Sequence, residues 1–519
     1  MKELIRGATL LDIQERLQES KKIIYLPCGC QGTLILLSGY HWRIRSVLLH
    51  AFSDNSDTLI EEKESLLFSG SHKKPIQGNL FFLDNMESGE SLMLSSEAPD
   101  FVTSILHIRH GELCIENQDN AIAIGYGKTE KIEEICRRYY KDAMINKLPR
   151  AMSNTWGDRH GNSRVCRDFV LREIEAAKEI GVDIVQIDDG WQTGQTYDKS
   201  ILNEMGRRVF RGDFWEVDLK RFPGGMTEIT DAVREKGLKP GLWFAPDSEH
   251  NYALLERDIA VLKKAYDEWG VRFFKLDMYW IESNENRDQF LKLLKAIYSF
   301  GDDVAVQLDV TRDMRINYLC GKEYGSIFVE NRYTKSANSY PYRILRSLWS
   351  FSKYLPSTRF QFEVVNPDLY KECYPEKDPF APVHFGMDYL FASVMLSNPL
   401  FWMELQFLSE ERRAELAPIM KVWRELRDEL AVADISPVGE RPDGRSLTGF
   451  AARGEKRSYL LLFRELTDRD TMELNFKEPV QILGTIISNT SVTASAQYAR
   501  AKVTLSAPRS YALLEVKMG

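Results

Sequence analysis

The chain has 519 residues, of which 44% are hydrophobic and 28% are charged, and its formal net charge at pH 7 is -8. This composition is typical of a folded globular protein, and the length favours two or three packed units over one. Basic residues are interspersed with acidic ones and no apolar run reaches eighteen residues, so the sequence predicts neither a nucleic-acid-binding protein nor a membrane protein.

The cysteines and the first residues bear on the cellular compartment. Seven scattered cysteines are an odd number and argue against a disulfide framework. Charges recur from Lys2 to Arg16, so an apolar signal-peptide core is not expected there. Cys28 and Cys30 lack the two-residue gap of redox and zinc motifs, and we expect them to be buried apolar residues. The cysteines therefore predict a cytoplasmic protein without a cysteine-based redox or zinc motif.

The first predicted elements, up to about residue 145, are short strands. Apolar residues alternate with polar ones, as at Trp42 and Ile44 and again at Leu106 and Ile108. Alternation with period two indicates strands with one buried face, and turn signals separate the runs. We expect an antiparallel β-sandwich domain over residues 1–145.

The sequence pattern changes over residues 146–432, where apolar runs alternate with amphipathic helices. This alternation is typical of a parallel sheet, and eight repeats predict a closed (β/α)8 barrel, or TIM barrel. A final helix is expected to begin after Ser409 and to seal the barrel. The predicted strands are 151–156, 184–189, 242–246, 273–277, 304–309, 326–331, 360–365 and 394–402.

Period-two alternation returns in the last segment of the chain. Met472 and Leu474 share one face, and an apolar run lies close to the C-terminus. We expect a small C-terminal β-sandwich domain over residues 433–519.

Charged side chains gather at the ends of the predicted barrel strands, where TIM barrels place their active sites. These residues are Asp188, Asp189, Lys275, Asp277, Asp309 and Glu330. A single acidic residue there is often a helix N-cap, but several like charges in one mouth are costly without a polar ligand or a cation. The residues alone fit two chemistries, namely glycoside cleavage by paired carboxylates and enolate stabilisation on a divalent metal with a lysine base.

Five segments between residues 150 and 405 resemble motifs of the melibiase-type α-galactosidases of glycoside hydrolase clan D, families twenty-seven and thirty-six, and more closely family thirty-six. They occur in the family's order, each near the end of a predicted strand. The segments are Ser153-Asn154-Thr155-Trp156, Ile187-Asp188-Asp189-Gly190-Trp191, Arg221-Phe222-Pro223-Gly224-Gly225, Gly241-Leu242-Trp243-Phe244-Ala245-Pro246 and Phe274-Lys275-Leu276-Asp277.

This resemblance implies a retaining exo-α-galactosidase that acts on an oligosaccharide or glycoside and uses neither a metal nor a cofactor. Asp277 would be the nucleophile and Lys275 a donor to sugar hydroxyls; residues two apart on a strand share a side, which supports this pairing. The resemblance also implies further substrate-binding residues. These are Asp188 and Asp189 for O4 and O6, Asp309 for O2, and Trp156, Trp191 and Trp243 as apolar walls, with core packing as the alternative for each tryptophan.

The general acid is where the sequence departs from the family pattern. Strand six of the family carries an aspartate, whereas the matching segment here offers Glu330, which we expect to be the acid/base. Arg332 is expected beside it as a substrate-binding residue. Alternatively, Glu330 only forms an ion pair with Arg332 or Arg343, and Glu363 on strand seven is then the reserve acid.

Several functions remain open from the sequence. An α-N-acetylgalactosaminidase or a galactosyl transferase resembling the raffinose synthases would use the same site. From other classes, a metal-dependent barrel lyase and a non-catalytic carbohydrate-binding scaffold both fit the residues. The oligomeric state is also open, a homo-oligomer included.

Overall fold

The computed structural model describes residues 24–26, 33–36, 41–49, 60–67, 74–97, 103–109, 112–116, 122–157, 161–196, 199–204, 208–210, 212–309, 319–329 and 337–519. Within these ranges a closed barrel of parallel strands lies between two groups of antiparallel sheets. No helix in the described ranges is long and apolar enough to cross a membrane.

The first group contains a six-stranded sheet in the order β1-β10-β7-β6-β3-β4 and a four-stranded sheet in the order β2-β9-β8-β5. The predicted alternation is confirmed in β3, where Trp42 and Ile44 are fully buried and Arg43 between them is not. Cys28 and Cys30 lie outside the described residues. The strands are β1 (Ile24–Leu26), β2 (Thr33–Leu36), β3 (Trp42–Leu49), β4 (Ile60–Leu67), β5 (Ile76–Gly78), β6 (Leu80–Asn85), β7 (Glu90–Ser96), β8 (Ser104–Arg109), β9 (Glu112–Glu116) and β10 (Ile122–Lys128).

Eight parallel strands form the barrel, in chain order, and the pairing of Met152 with Leu400 closes it. The predicted TIM barrel is therefore confirmed. Its strands are β11 (Met152–Asn154), β12 (Ile184–Ile187), β13 (Lys239–Phe244), β14 (Phe273–Leu276), β15 (Ala305–Asp309), β16 (Ser326–Phe328), β17 (Phe360–Glu363) and β18 (Asn398–Phe401).

One helix precedes the barrel strands in the chain, others lie between successive strands, and a long helix follows the last strand. The helices are α1 (Ile132–Ala143), α2 (Arg167–Ile180), α3 (Gly225–Glu235), α4 (Leu255–Asp267), α5 (Asn284–Tyr298), α6 (Pro341–Ser352), α7 (Met387–Ala392) and α8 (Glu410–Val432). The predicted start of α8 is confirmed, because the Ser409 side chain accepts a hydrogen bond from the Arg412 backbone N–H at 3.2 Å. Such a cap satisfies one of the free N–H groups of the first turn.

The eighth strand begins later than predicted. Residues 394–397 form a turn after α7, in which both the backbone N–H and the hydroxyl of Ser397 donate to the Val394 carbonyl. A short apolar run cannot by itself separate a strand from the end of a helix, which explains the error.

A cluster of buried apolar side chains from the barrel strands packs together and reaches the charged site at Trp402. They come from strands on all sides of the barrel, as in other filled TIM barrels. The buried members of this cluster are Met152, Ile184, Phe273, Ala305, Phe328, Leu400 and Trp402.

The second antiparallel group contains a five-stranded sheet in the order β19-β20-β21-β26-β23 and a three-stranded sheet in the order β22-β25-β24. The predicted buried face is confirmed, since Met472 and Leu474 are both about 4% exposed. The strands are β19 (Asp434–Gly439), β20 (Leu447–Arg453), β21 (Ser458–Arg464), β22 (Thr471–Asn475), β23 (Val480–Ser488), β24 (Val492–Gln497), β25 (Arg500–Leu505) and β26 (Ser510–Met518).

Two carboxylates of this group accept hydrogen bonds from protein groups. Arg137 of α1 donates two hydrogen bonds of 2.7 Å to the carboxylate of Asp434, which begins β19. Buried Glu465 accepts backbone N–H groups from Gly444 at 2.8 Å and from Ser446 at 2.9 Å. The domain boundaries at residues 145/146 and 432/433 stay a prediction.

Candidate active site

A buried ammonium group forms the centre of the charged mouth of the barrel. The Lys275 Nζ atom lies 3.0 Å from Asp188 Oδ2, 3.4 Å from Asp309 Oδ2 and 3.8 Å from Asp277 Oδ2. These four residues come from the C-terminal ends of β12, β14 and β15, which meet at one end of a parallel barrel. The structure thus brings four of the predicted site residues together.

The electrostatics of the cluster follow from this geometry. Burial by itself would lower the pKa of Lys275, but the charges of Asp188, Asp309 and Asp277 outweigh burial and raise the pKa above its ordinary value. Lys275 is therefore charged throughout the physiological pH range. It also lies 5.7 Å from the ring centroid of Trp402, within the range of a cation–π contact.

Asp277 is held by hydrogen bonds to both carboxylate oxygens. Trp243 Nε1 donates to Oδ2 at 3.0 Å, and the backbone N–H of Met278 donates to Oδ1 at 2.6 Å. Met278 has a φ of 54°, a left-handed conformation that costs a non-glycine residue about 1 kcal/mol or more. Its N–H points at the carboxylate in this conformation, so the strain lies directly beside the group expected to react.

Two residues without a predicted role hold Asp188 in place. Asn154 Nδ2 donates to Asp188 Oδ2 at 2.7 Å, and Asn154 Oδ1 accepts from Trp402 Nε1 at 3.1 Å. Asn154 ends the first barrel strand and Trp402 directly follows the last one, so their hydrogen bond connects the place where the barrel closes to the charged cluster. Their position at a strand end next to the mouth was the available signal for both.

Asp189 is engaged by protein groups and not by the cluster. Gln192 Nε2 donates to its Oδ1 at 2.6 Å, and Asn162 Nδ2 and the Thr196 hydroxyl donate to its Oδ2. Consecutive residues of an extended chain point to opposite sides, and Gly190, with a φ of 115°, then turns the chain away. Burial raises the pKa of Asp189, which its hydrogen-bond donors oppose. Direct contact of this carboxylate with sugar would require it to give up one of these partners.

The three predicted wall tryptophans differ in their surroundings. Trp191 and Trp243 are both 0% exposed, and Trp191 Nε1 donates to the Trp243 carbonyl at 2.9 Å. Their rings therefore belong to the packed core, and Trp243 reaches the site only through its N–H. Trp156 is partly buried and packs against the interior cluster of the barrel, so it is the one of the three whose ring remains a candidate wall.

Glu330 and Arg332 lie outside the described residues, so their predicted roles stay predictions. Strand β16, which precedes them, ends at Phe328. Glu363 ends β17 and is 5% exposed.

The position that a bound cation would occupy is already filled. Among the described residues no group of three or more histidine, cysteine or acidic side chains could hold a metal ion. The Lys275 ammonium lies between the three carboxylates that a divalent ion would need. This arrangement suits hydrogen bonding to a polyhydroxylated ligand, because ammonium donors and carboxylate acceptors lie side by side.

Residues 133–258, which include β11 to β13, Asp188 and Asp189, match the Melibiase family model. This segment is similar to the Melibiase family. The match ends before β14, so Lys275 and Asp277 lie beyond the matched residues. The resemblance inferred from the motifs is confirmed.

Proteins that are similar in sequence to part of this chain include α-galactosidases. Mel36A of Lactobacillus acidophilus is 31% identical over 115 residues, which are 22% of this chain and 14% of that protein. An Escherichia coli α-galactosidase is 27% identical over 114 residues, 21% of this chain and 14% of the relative. The matched part thus spans about one seventh of the length of either relative.

Solved structures extend the likeness to nearly the whole chain. GH36 α-galactosidase AgaA from Geobacillus stearothermophilus superposes with a TM-score of 0.68 at 12% identity, over 96% of this chain and 76% of that one. The α-galactosidase from Lactobacillus brevis gives a TM-score of 0.66 at 11% identity, over 96% and 75%. At these identities the likeness shows a shared fold.

Proposed function

We propose that the protein is a retaining exo-α-galactosidase that cleaves terminal α-galactosides through a covalent intermediate on Asp277. The observation that carries this proposal is an asymmetry among the three carboxylates around Lys275. Asp277 keeps 21% of its side chain exposed, whereas Asp188 and Asp309 keep 2% and 3%. A nucleophile must reach the anomeric carbon, so the exposed carboxylate is the one placed to attack.

In the proposed first step an Asp277 oxygen bonds to the anomeric carbon while the glycosidic C–O bond breaks. Glu330 gives its proton to the leaving oxygen. In the second step Glu330 takes a proton from water, the water oxygen attacks the anomeric carbon, and the bond to Asp277 breaks. Two inversions at one carbon give a product with the α configuration of the substrate.

The buried members of the cluster are assigned to binding. Asp188 and Asp309 would accept hydrogen bonds from sugar hydroxyls, and Lys275 would donate to one. Because Lys275 holds both carboxylates in place before a ligand arrives, little rearrangement is needed on binding. The names of the sequence relatives support galactose as the sugar, and AgaA variants have been solved in complex with raffinose and stachyose.

The test is the stereochemistry of hydrolysis of 4-nitrophenyl α-galactoside, followed by NMR in the presence of EDTA. We expect α-galactose as the first product and a rate that the chelator leaves unchanged. If β-galactose appears first, the enzyme is inverting and Asp277 is not a covalent nucleophile. If a folded protein gives no turnover, the galactosidase proposal fails. A rate abolished by EDTA would favour the metal-dependent alternative.

A further inference from the structure

A groove outside the charged cluster lies at the rim of the barrel, between the segments that follow β11, β17 and β18. It encloses about 730 Å³, within the range of small-molecule binding sites. Its lining is mainly apolar with a few charged groups. The lining residues that matter here are Arg164, Phe169, Arg172, Leu369, Glu404 and Phe407.

Phe407 presents its ring to solvent within this groove. It is 60% exposed, although a phenylalanine side chain is normally stabilised by burial. The Arg164 guanidinium lies 5.6 Å from the ring centroid and forms a 2.8 Å ion pair with Glu404, whose side chain is only 3% exposed. The groove thus combines an aromatic ring, a guanidinium and a carboxylate, and the Arg164 charge is balanced locally.

The turn that carries Phe407 is held firmly. The backbone N–H groups of Leu405 and Gln406 donate to buried Glu173 at 2.9 and 3.2 Å. The Gln406 side chain also accepts from Arg172 Nε at 3.0 Å. The backbone that leads into the exposed ring is therefore held in place, which lowers the ordering cost when a ligand binds.

Two chain segments connect the groove to the proposed catalytic mouth. Ser163 lines it and follows Asn162, which donates to Asp189. Phe407 follows Trp402 by five residues, so the two lie at most about 18 Å apart. Trp402 in turn is hydrogen-bonded to Asn154 beside Asp188. A ligand of a few sugar units can span from one site to the other.

We propose that this groove binds the sugar units of an oligosaccharide substrate that lie beyond the cleaved galactose, an inference that rests on the proposed function. The apolar C–H face of a pyranose packs against the Phe407 ring, and the Arg164–Glu404 pair exchanges hydrogen bonds with hydroxyls. Glu404 balances the Arg164 charge and Arg172 donates to the uncharged Gln406 side chain, so these groups can exchange hydrogen bonds with glycan hydroxyls.

The test compares stachyose with 4-nitrophenyl α-galactoside, whose aglycone is too short to reach the groove. We expect Phe407→Ala to raise KM for stachyose about 5- to 10-fold, the loss of one aromatic contact, with kcat within twofold. Both constants for the nitrophenyl substrate should stay within twofold. Phe407→Tyr, which keeps the ring, should restore the KM for stachyose.

Tyr498→Ala is the matched control, because Tyr498 is also an exposed aromatic residue, at 77%, but lies at the turn between β24 and β25. It should change neither substrate. Equal effects of Phe407→Ala on the two substrates, or no effect on either, would overturn the proposal.

A wild type inactive on both substrates would mean that the proposed function fails. The groove is then judged by calorimetric titration with stachyose. Binding that Phe407→Ala weakens keeps the groove as a glycan site, and binding that it leaves unchanged, or an absence of binding, rejects the groove.

Discussion

The two ends of the barrel each bury a cation, but they satisfy it in different ways. At the C-terminal end, Lys275 lies among three carboxylates, and its pKa is raised. At the N-terminal end, Arg359 is 0% exposed and donates to the backbone carbonyls of Gly321 and Lys322. Burial lowers the pKa of Arg359 to about 10, against the raising effect of nearby anionic groups such as Glu323.

This difference separates a group placed for chemistry from one placed for structure. Backbone carbonyls can satisfy a buried guanidinium without bringing further charges into the interior. Three carboxylates around one ammonium leave an excess of negative charge, which a fold does not need for its own stability. The excess is explained if the carboxylates have a second task, which we assign to sugar binding and catalysis.

The largest expected effect tests the C-terminal end directly. Asp277→Ala should lower kcat on 4-nitrophenyl α-galactoside by about 10⁴-fold or more, because the nucleophile is removed. Asp303→Asn is the control at the other end, where an exposed carboxylate pairs with Arg272 at 2.7 Å. Its kcat should stay within about twofold of wild type. Comparable activity of both variants would contradict the assignment of Asp277.

The second prediction compares the two buried cations. Lys275→Met should lower the free energy of unfolding by about 3–5 kcal/mol, because it leaves buried carboxylates without their counter-charge. Arg359→Met should lower it by about 1–3 kcal/mol, because it leaves only carbonyls without a donor. Urea denaturation measures both, and only Lys275→Met should also abolish turnover. Equal losses of stability would remove the distinction between the two ends.

The third prediction concerns a buried carboxyl group, Glu465, that accepts hydrogen bonds from backbone N–H groups. Burial raises the pKa of Glu465 to about 7, although three backbone N–H groups oppose this shift. Between the ordinary glutamate pKa and this raised value, the folded protein holds a proton that the unfolded chain has released. The contribution of Glu465 to the free energy of unfolding is therefore greatest below the ordinary glutamate pKa. Its contribution should fall by up to about 3 kcal/mol as the pH rises to 7.

Glu465→Gln should remove that part of the pH dependence. Urea denaturation at pH 5 and pH 7.5 gives the comparison, because other carboxyl groups contribute equally to both proteins. An unchanged difference between the two pH values in the variant would show that Glu465 does not titrate in this range.

The smallest expected effect concerns two tryptophans of the same core. Trp243→Phe removes the hydrogen bond to Asp277 and should lower kcat about tenfold with KM within twofold, the loss of about one hydrogen bond to a charged group. Trp191→Phe removes a hydrogen bond to a backbone carbonyl and should lower stability by about 1 kcal/mol with kcat unchanged. If both variants lose the same kcat, Trp243 acts through packing and not as a positioning residue.

The period of the apolar residues and the alternation of strands and helices along the chain were sufficient to predict the barrel. The proximity of Lys275, Asp277 and Asp188 was predictable because strand ends of a parallel barrel converge whatever the details of packing. The direction in which each side chain points was harder to predict. Asp189 follows Asp188 in sequence, yet its carboxylate faces Gln192 and Thr196, whose positions depend on a loop. Trp402 and Asn154 were missed as site residues because their contacts join strands far apart in sequence.

The pairing of Arg137 with Asp434 places partners 297 residues apart in the chain. At a ribosomal rate of about 5–20 residues per second, the carboxylate is made roughly 15–60 s after the guanidinium. Strand β11 likewise waits for β18, its second neighbour in the closed barrel. An edge strand without its neighbour can pair with other chains. During translation, before β18 has been made, β11 therefore lacks its second neighbour and has an edge that can pair with another chain.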